Sequence, residues 1–170
     1  MIRPEREDVT EFLGSSIGLM SGGAAVSVHE LLEARELLEV PAARMAAERR
    51  TDAHLEALRE SLVTDPALYG VAELFVRNQA FHDAIFAASQ NVLIQIMTEP
   101  ITKVLRTRFL RDQAPEGFWD DVAKGHQVLL DTIEAGDPQA AAAAMTKHLK
   151  NLRPTYERID RDMKRNKGNK

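Results

Sequence analysis

Three of the five histidines in the chain fall at positions where a helix would place an apolar side chain. When each predicted helix is written at its 3-and-4 spacing, His82, His126 and His148 each continue an apolar stripe, one histidine per helix. The other two, His29 and His54, lie at predicted helix starts away from the stripes, and we expect them at the surface. The pattern therefore predicts three imidazoles directed toward the core.

Two interpretations of the inward histidines are open at this level. Each can be a core residue whose ring is hydrogen-bonded to a backbone carbonyl. Alternatively, the three can share a divalent cation, which accepts several imidazole lone pairs at once and so offsets the cost of burying them. The sequence contains no cysteine, which restricts a transition-metal site to histidine, carboxylate, amide and water ligands. Helical spacing alone does not show whether the three helices meet.

An arginine also interrupts an apolar stripe. Arg35 lies in the stripe of the second predicted helix, and a guanidinium directed inward requires an anion. Its partner is either Glu39, one helical turn later, or a small carboxylate bound in a cavity that faces the metal. Arg106 and Arg108 on the fifth predicted helix can assist in binding such a carboxylate, unless they are exposed to solvent.

Helices must position these side chains, because alanine and leucine are abundant and no stretch alternates β-branched with polar residues. We predict an all-α fold with about seven helices, at 7–19, 28–50, 52–63, 66–89, 91–111, 115–135 and 138–164. Ser27 and Glu30 have the spacing of a capping box at the start of the second helix. Pro100 and Pro154 can kink the helices that contain them.

Length and charge exclude several classes of protein. With 170 residues and a formal net charge of −4, the chain has the size of one domain and no basic surface with which to hold DNA unaided. No apolar run approaches the roughly 20 residues of a membrane span, and the N-terminus lacks the charged-then-apolar layout of a signal peptide, so we expect a cytoplasmic protein without membrane contact.

A hydrolytic zinc enzyme also uses three histidines, but apart from Glu39 the inner stripes offer no general base. Binding is therefore favoured over catalysis.

Several short motifs occur in a consistent order between about Glu30 and Leu152. They are Glu30-Leu-Leu-Glu-Ala-Arg35-Glu-Leu-Leu-Glu39, Ala46-Ala47-Glu48-Arg49, Asn78-Gln-Ala-Phe81-His82 followed by Asn91, Gly125-His126-Gln-Val-Leu-Leu-Asp-Thr-Ile133, Gly136-Asp137, and Ala144-Met145-x-x-His148-Leu149. Together they resemble the FCD domain, the ligand-binding module of the FadR subfamily of GntR-type transcriptional regulators. The resemblance implies an antiparallel bundle of six or seven helices around a central pocket, where an aspartate and three histidines bind a divalent metal that helps to hold an organic acid.

The resemblance also implies specific site residues. Carried over position by position, the metal ligands would be Asn78, His82, His126 and His148. Asn78 stands where the family has aspartate, and its neutral amide is a weaker ligand than a carboxylate. Zinc is the expected ion, with nickel or manganese as alternatives. The expected effector is a small carboxylate, and its contacts would be Arg35, Asn91, Arg106 and Arg108.

Regulators of this type carry a winged helix-turn-helix ahead of the bundle, and the sequence contains none. We expect residues 1–26 to form a linker and first helix, 27–165 the FCD domain and 166–170 a polar tail. The resemblance further implies a homodimer that contacts DNA only through the missing domain. A metal-free helical bundle that binds a small molecule is the first alternative function, and a His-ligated metalloenzyme is the second.

Overall fold

The structure is a computed structural model that describes residues 6–22, 26–106 and 114–168. Within these ranges the chain forms seven α-helices and one short 3₁₀ helix, without any strand. The α-helices are α1 (Arg6–Gly22), α2 (Val28–Arg49), α3 (Asp52–Ser61), α4 (Val71–Ala88), α5 (Val92–Leu105), α6 (Phe118–Ala135) and α7 (Pro138–Gly168), and the 3₁₀ helix spans Pro66–Leu68. The predicted all-α class is confirmed.

Helix α2 occupies the centre of the bundle. It contacts α4, α5, α6 and α7, and its most extensive packing is against α7. Helix α1 packs on α5, and α3 packs on α4. Four helices therefore direct side chains toward one face or another of α2. In the part of the chain that the structure describes, no helix is both long and apolar enough to cross a membrane.

The core consists of two apolar clusters with polar side chains between them. Along α2, Val28 and Leu31 belong to the first cluster, whereas the alanines from Ala42 onward belong to the second. The buried polar residues Arg35 and Glu39 lie between these two groups. Arg35 is thus buried, as its place in the predicted stripe indicated, and the buried face also includes the carboxylate of Glu39.

The same two clusters give the directions of the other helices. Helix α6 begins in the first cluster at Phe118 and ends in the second at Ile133, as α2 does. Helix α7 runs the opposite way, from Met145 in the second cluster to Tyr156 in the first. Helix α7 is therefore antiparallel to α2 and α6, and the middle of each helix faces the polar layer.

The predicted capping box begins α2. The Oγ atom of Ser27 accepts from the backbone N–H of Glu30 at 3.2 Å, and the Glu30 carboxylate accepts from the backbone N–H of Ser27 at 2.8 Å. These hydrogen bonds lower the pKa of Glu30 below its ordinary value. The start of α2 is thus fixed, which places Arg35 and Glu39 on its third and fourth turns.

Two helix starts differ from the predictions. The helix predicted at 66–89 is divided, because Tyr69 and Gly70 are extended (φ −124° and −69°, ψ 144° and 153°) and α4 begins at Val71. The helix predicted at 115–135 begins only at Phe118, because Gly117 has the left-handed φ of 77°. The fifth helix was predicted to end at 111, whereas α5 ends at Leu105; residues 107–113 lie outside the described residues.

Candidate metal centre

Helices α4, α6 and α7 each contribute one imidazole to a single buried cluster. His82, His126 and His148 are 1%, 1% and 2% exposed. The ring centroid of His82 lies 5.1 Å from that of His126 and 5.6 Å from that of His148, and the last two are 5.0 Å apart. One ring nitrogen from each residue lies within 4.8 Å of the other two. The three helices therefore meet at their histidines, which their spacing left undecided.

Among the described residues, each of the three rings has one buried nitrogen that forms no hydrogen bond: Nδ1 of His82, Nε2 of His126 and Nε2 of His148. Nδ1 of His82 has a carboxylate oxygen of Glu39 2.8 Å away, at ion-pair distance but outside hydrogen-bond geometry. Burial, reinforced by the positive charge of Arg35, lowers the pKa of the His126 and His148 rings well below 6.5. Both imidazoles are therefore neutral at pH 7, the form in which a histidine binds a metal. The ring of His126 also stacks on Phe81, with centroids 4.1 Å apart, and this contact fixes its plane.

Both ring nitrogens of His82 have a neighbour from α2. Its Nδ1 atom lies 2.8 Å from Oε2 of Glu39, and its Nε2 atom lies 3.3 Å from Nη2 of Arg35. Because a guanidinium can only donate, Nε2 must be the accepting nitrogen and Nδ1 carries the proton beside the carboxylate. The contacts with α2 therefore select the tautomer that keeps the lone pair of His82 on Nε2.

Arg35 and Glu39 form the ion pair that was one of the two alternatives for Arg35. The Nε atom of Arg35 donates a hydrogen bond to Oε1 of Glu39, and the guanidinium also donates one to the hydroxyl oxygen of Tyr156. Burial alone would raise the pKa of Glu39, but Arg35 and His82 lower it to about 2. Burial alone would lower the pKa of Arg35, but Glu39 and Tyr156 raise it above its ordinary value. Both partners are therefore charged at neutral pH.

Asn78 lines two small cavities beside the histidines. One, of about 20 Å³, is shared with Arg35, His82, Arg106 and Tyr156. The other, of about 10 Å³, is shared with His126 and with apolar side chains of α4 and α6. Each volume holds about one water molecule. An organic acid can therefore enter the larger cavity only if its lining side chains move.

Of the other predicted effector contacts, Arg106, Asn91 and Arg108, only Arg106 lines a cavity beside the histidines among the described residues. Arg106, at the end of α5, lines the larger cavity. Asn91 instead caps α5, where its Oδ1 atom accepts from the backbone N–H groups of Leu93 at 3.1 Å and Ile94 at 3.3 Å. Asn91 thus satisfies two free N–H groups at a helix start, and its contact with an effector stays a prediction. Arg108 lies outside the described residues.

The two other histidines do not join the cluster. His29 is exposed, as predicted, and lies 3.3 Å from Glu33. His54 is half-buried and completes a capping box at the start of α3, where its Nδ1 atom accepts from the backbone N–H of Thr51 at 3.2 Å. Substitutions at these two histidines can therefore serve as controls for substitutions at the three buried ones.

The site also contains two side chains whose place in it the sequence pattern did not predict. Tyr156 is buried and lies two turns after His148 on α7, so extending the stripe of His148 and Leu152 by four residues would have reached it. Glu39 was considered as a partner of Arg35 and as a candidate general base, but not as a neighbour of a histidine. Its contact with His82 joins α2 to α4, and a pattern within one helix carries no information about such a contact.

The donor set fits a transition-metal ion. Three imidazoles with an amide beside them suit zinc, nickel or manganese, whereas magnesium and calcium prefer oxygen ligands. The unpartnered Nε2 atoms of His126 and His148 are the kind of buried polar atom that such an ion would satisfy. The residues present are therefore compatible with a metal centre.

Comparison with known proteins places this arrangement in a family. The sequence profile of the FCD domain matches residues 30–151. The HTH-type transcriptional regulator LutR of Bacillus subtilis (strain 168) is 32% identical over 135 residues, which are 74% of this chain and 60% of that protein. The putative L-lactate dehydrogenase operon regulatory proteins of Escherichia coli (strain K12) and Shigella flexneri are each 30% identical over 145 residues, 80% of this chain and 54% of each relative. The chain thus spans 60% or less of the length of these relatives.

Proposed function

Because this chain belongs to the FCD domain family, we propose that it is the effector-binding domain of a bacterial GntR-type transcriptional regulator of the FadR subfamily, and that it binds a small organic acid at a divalent metal centre. The relatives that it matches are named as regulators. The proposed activity is recognition of a ligand rather than catalysis.

The observation that carries the proposal is the convergence of three buried imidazoles from three helices, each with a buried nitrogen that forms no hydrogen bond among the described residues. In the proposal His82, His126 and His148 are the metal ligands, and the amide oxygen of Asn78 is the fourth. Zinc is the first candidate, with nickel and manganese as alternatives. When bound, the ion supplies a positive centre that attracts an anionic effector.

Arg35 is the second anchor for the effector in this proposal. Its guanidinium now contacts Nε2 of His82 at 3.3 Å, so the use of Nε2 as a metal ligand requires Arg35 to withdraw. The withdrawn guanidinium faces the cavity that it shares with Arg106 and Tyr156, where a carboxylate can accept two parallel hydrogen bonds from it. Metal and effector should therefore bind cooperatively, because both favour the same position of Arg35.

A short 2-hydroxy acid is the first effector to test. The names of two relatives refer to an L-lactate dehydrogenase operon. A cavity of about 20 Å³ also favours a small acid, since each added carbon requires more displacement of the lining side chains. Arg35 supplies a partner for the carboxylate, and the phenol of Tyr156 supplies one for the hydroxyl.

DNA recognition belongs, in this proposal, to a winged helix-turn-helix domain of the full-length regulator. Residues 27–165 would form the effector-binding domain, and residues 1–26 would connect it to the DNA-binding domain. The full-length protein would be a homodimer with two arrangements of its DNA-binding domains. The effector would control DNA binding through its different affinities for these two arrangements.

A hydrolytic metalloenzyme is less well supported, because the candidate general base is unsuitable. Glu39 is buried beside the cluster, but Arg35 and His82 lower its pKa to about 2 despite its burial. A carboxylate that weakly basic accepts a proton poorly at neutral pH. It is also bonded to Arg35, so its Oε1 atom is occupied.

The metal is tested by elemental analysis of the untagged protein beside the variants His82→Ala and His29→Ala. We expect near-stoichiometric zinc, nickel or manganese in the unsubstituted protein and in His29→Ala, and its loss in His82→Ala. His29 is the matched control because it is exposed and lies outside the cluster. Equal metal content in all three proteins would contradict the proposed centre.

The effector is tested by calorimetry with L-lactate, D-lactate and a longer dicarboxylate. We expect heat of binding with at least one lactate when the protein is metal-loaded, and much weaker binding after chelation. Equal affinity with and without metal would favour the metal-free binding bundle instead. No heat with any acid would contradict the assigned effector class.

A further inference from the structure

A glycine lies in the middle of α6, immediately before one of the clustered histidines. Gly125 is flanked by complete helical turns within Phe118–Ala135. A glycine in a helix interior is less stable than alanine, because it loses more conformational freedom on folding. The local structure of α6 therefore favours alanine at this position, and the reason for glycine has to be found in another helix.

That reason is the imidazole of His148 on α7. A Cβ atom built on Gly125 would lie 2.3 Å from Nδ1 of His148, 3.2 Å from its Cγ and 3.3 Å from its Cε1. One edge of the ring thus occupies the space of the missing methyl group. Gly18 also lies inside a helix, but a Cβ atom built on it would meet nothing within 4 Å.

The ring of His148 has little room to withdraw. It is 2% exposed, and its centroid lies 5.0 Å from that of His126 and 5.6 Å from that of His82. Its Nδ1 edge meets α6 at Gly125, whereas its Nε2 atom is the buried nitrogen without a partner. The close approach of the ring to α6 therefore determines where Nε2 lies.

We propose that Gly125 is a positioning residue for the metal centre: the absence of its Cβ lets the His148 ring lie against α6 with Nε2 directed at the other two histidines. This inference rests on the proposed function for its metal, but the contact itself concerns only this chain. Gly125 contributes no ligand atom and acts through His148.

The first test compares the zinc affinities of Gly125→Ala and Gly18→Ala with that of the unsubstituted protein, by competition with a chromophoric chelator. Gly125→Ala should weaken zinc binding about 10- to 100-fold, as expected when a group that orients a ligand is changed. Gly18→Ala should leave the affinity unchanged, since its methyl group meets open space. An unchanged affinity in Gly125→Ala would overturn the proposal.

The second test is a double-mutant cycle on metal-free protein, with Gly125→Ala and His148→Ala alone and together. In the original background the added methyl group should lower the denaturation midpoint, because it collides with the ring. In the His148→Ala background it should raise the midpoint, because the space is empty and alanine favours the helix. If Gly125→Ala alone does not fold, recovery of folding in the double variant gives the same answer.

The two tests separate the failure of this inference from the failure of the proposed function. If the unsubstituted protein binds none of zinc, nickel and manganese, the proposed metal centre and the positioning role both fail, whatever the cycle reports about packing. If zinc binds but Gly125→Ala raises the midpoint equally in both backgrounds, the contact with His148 does not exist and only the inference about Gly125 is overturned.

Discussion

The Oε2 atom of Glu39 lies 2.8 Å from Nδ1 of His82, while Oε1 of the same carboxylate accepts a hydrogen bond from Arg35. One buried carboxylate thus holds a proposed metal ligand and a proposed effector anchor. A carboxylate beside one imidazole nitrogen orients the ring and makes the other nitrogen more basic. Glu39 therefore contributes to the centre without being one of its ligands.

The variant Glu39→Gln should weaken zinc binding by about 10- to 100-fold, because an amide orients and polarises His82 less than a carboxylate does. It should also lower the free energy of unfolding by about 3–5 kcal/mol, since it leaves the charge of Arg35 buried without a counter-ion. Chelator competition and chemical denaturation measure the two effects. The matched control is Glu48→Gln, which removes an exposed i,i+4 partner of Arg44 and should change the stability by no more than about 1 kcal/mol. Similar changes in both variants would contradict a special role for Glu39.

Arg35→Lys should retain the metal but bind the effector about 10- to 100-fold more weakly, because lysine keeps the charge and loses the forked hydrogen bonds. Calorimetry of the metal-loaded variant with the acid that the unsubstituted protein binds measures the loss. Arg44→Lys is the control, since Arg44 forms an exposed pair outside the cavity. Undiminished effector affinity in Arg35→Lys would show that Arg35 serves only as the partner of Glu39.

Asn78→Asp should strengthen metal binding by roughly tenfold or more, because an anionic ligand replaces a neutral one beside two of the histidines. The affinity is measured by chelator competition at one ionic strength. Gln139→Glu adds the same negative charge at an exposed position in the first turn of α7 and should have no such effect. An increase of equal size in both variants would assign the gain to net charge instead of ligation.

The metal-free protein should lose stability as the pH falls from 7.5 to 5.5. Burial holds the pKa of His126 and of His148 well below 6.5, so the unfolded chain takes up protons in this range and the folded chain does not. Unfolding is then favoured by acid, by up to about 1.4 kcal/mol per pH unit for each histidine. Denaturation of the chelator-treated protein across this range measures the slope, and His126→Gln should have about half of it. A flat profile would mean that neither ring is held neutral.

Helical spacing predicted the inward direction of the three histidines because one helix determines its own buried face. His82, His126 and His148 could therefore be assigned to the core, each from its own stripe. Their convergence depends on the directions of α4, α6 and α7, which no single stripe contains. The pairing of Arg35 with Glu39 was predictable as an alternative because both lie on one helix, whereas the contact of Glu39 with His82 was not.

The predicted helix boundaries were wrong where the local backbone conformation overrides the hydrophobic pattern. The apolar and charged residues after Pro66 read as one helix, but Tyr69 and Gly70 are extended and α4 begins later. Gly117 similarly delays α6 by adopting a left-handed conformation. Asn91 matched a family position, yet its side chain caps α5. A short polar side chain at a helix start can serve either role, and only its surroundings distinguish them.

The three imidazoles come from segments far apart in the chain, since 43 residues lie between His82 and His126 and 21 lie between His126 and His148. An ion held by all three would close two loops of the polypeptide, as two disulfides would in a chain that had cysteines. Unlike a disulfide, the ion would leave when the domain unfolds, so it would stabilise the folded state by mass action, by about 2.7 kcal/mol when free metal is at roughly 100 times its dissociation constant. The centre would therefore act as a removable cross-link, and the resistance of the domain to unfolding would follow the supply of metal in its surroundings.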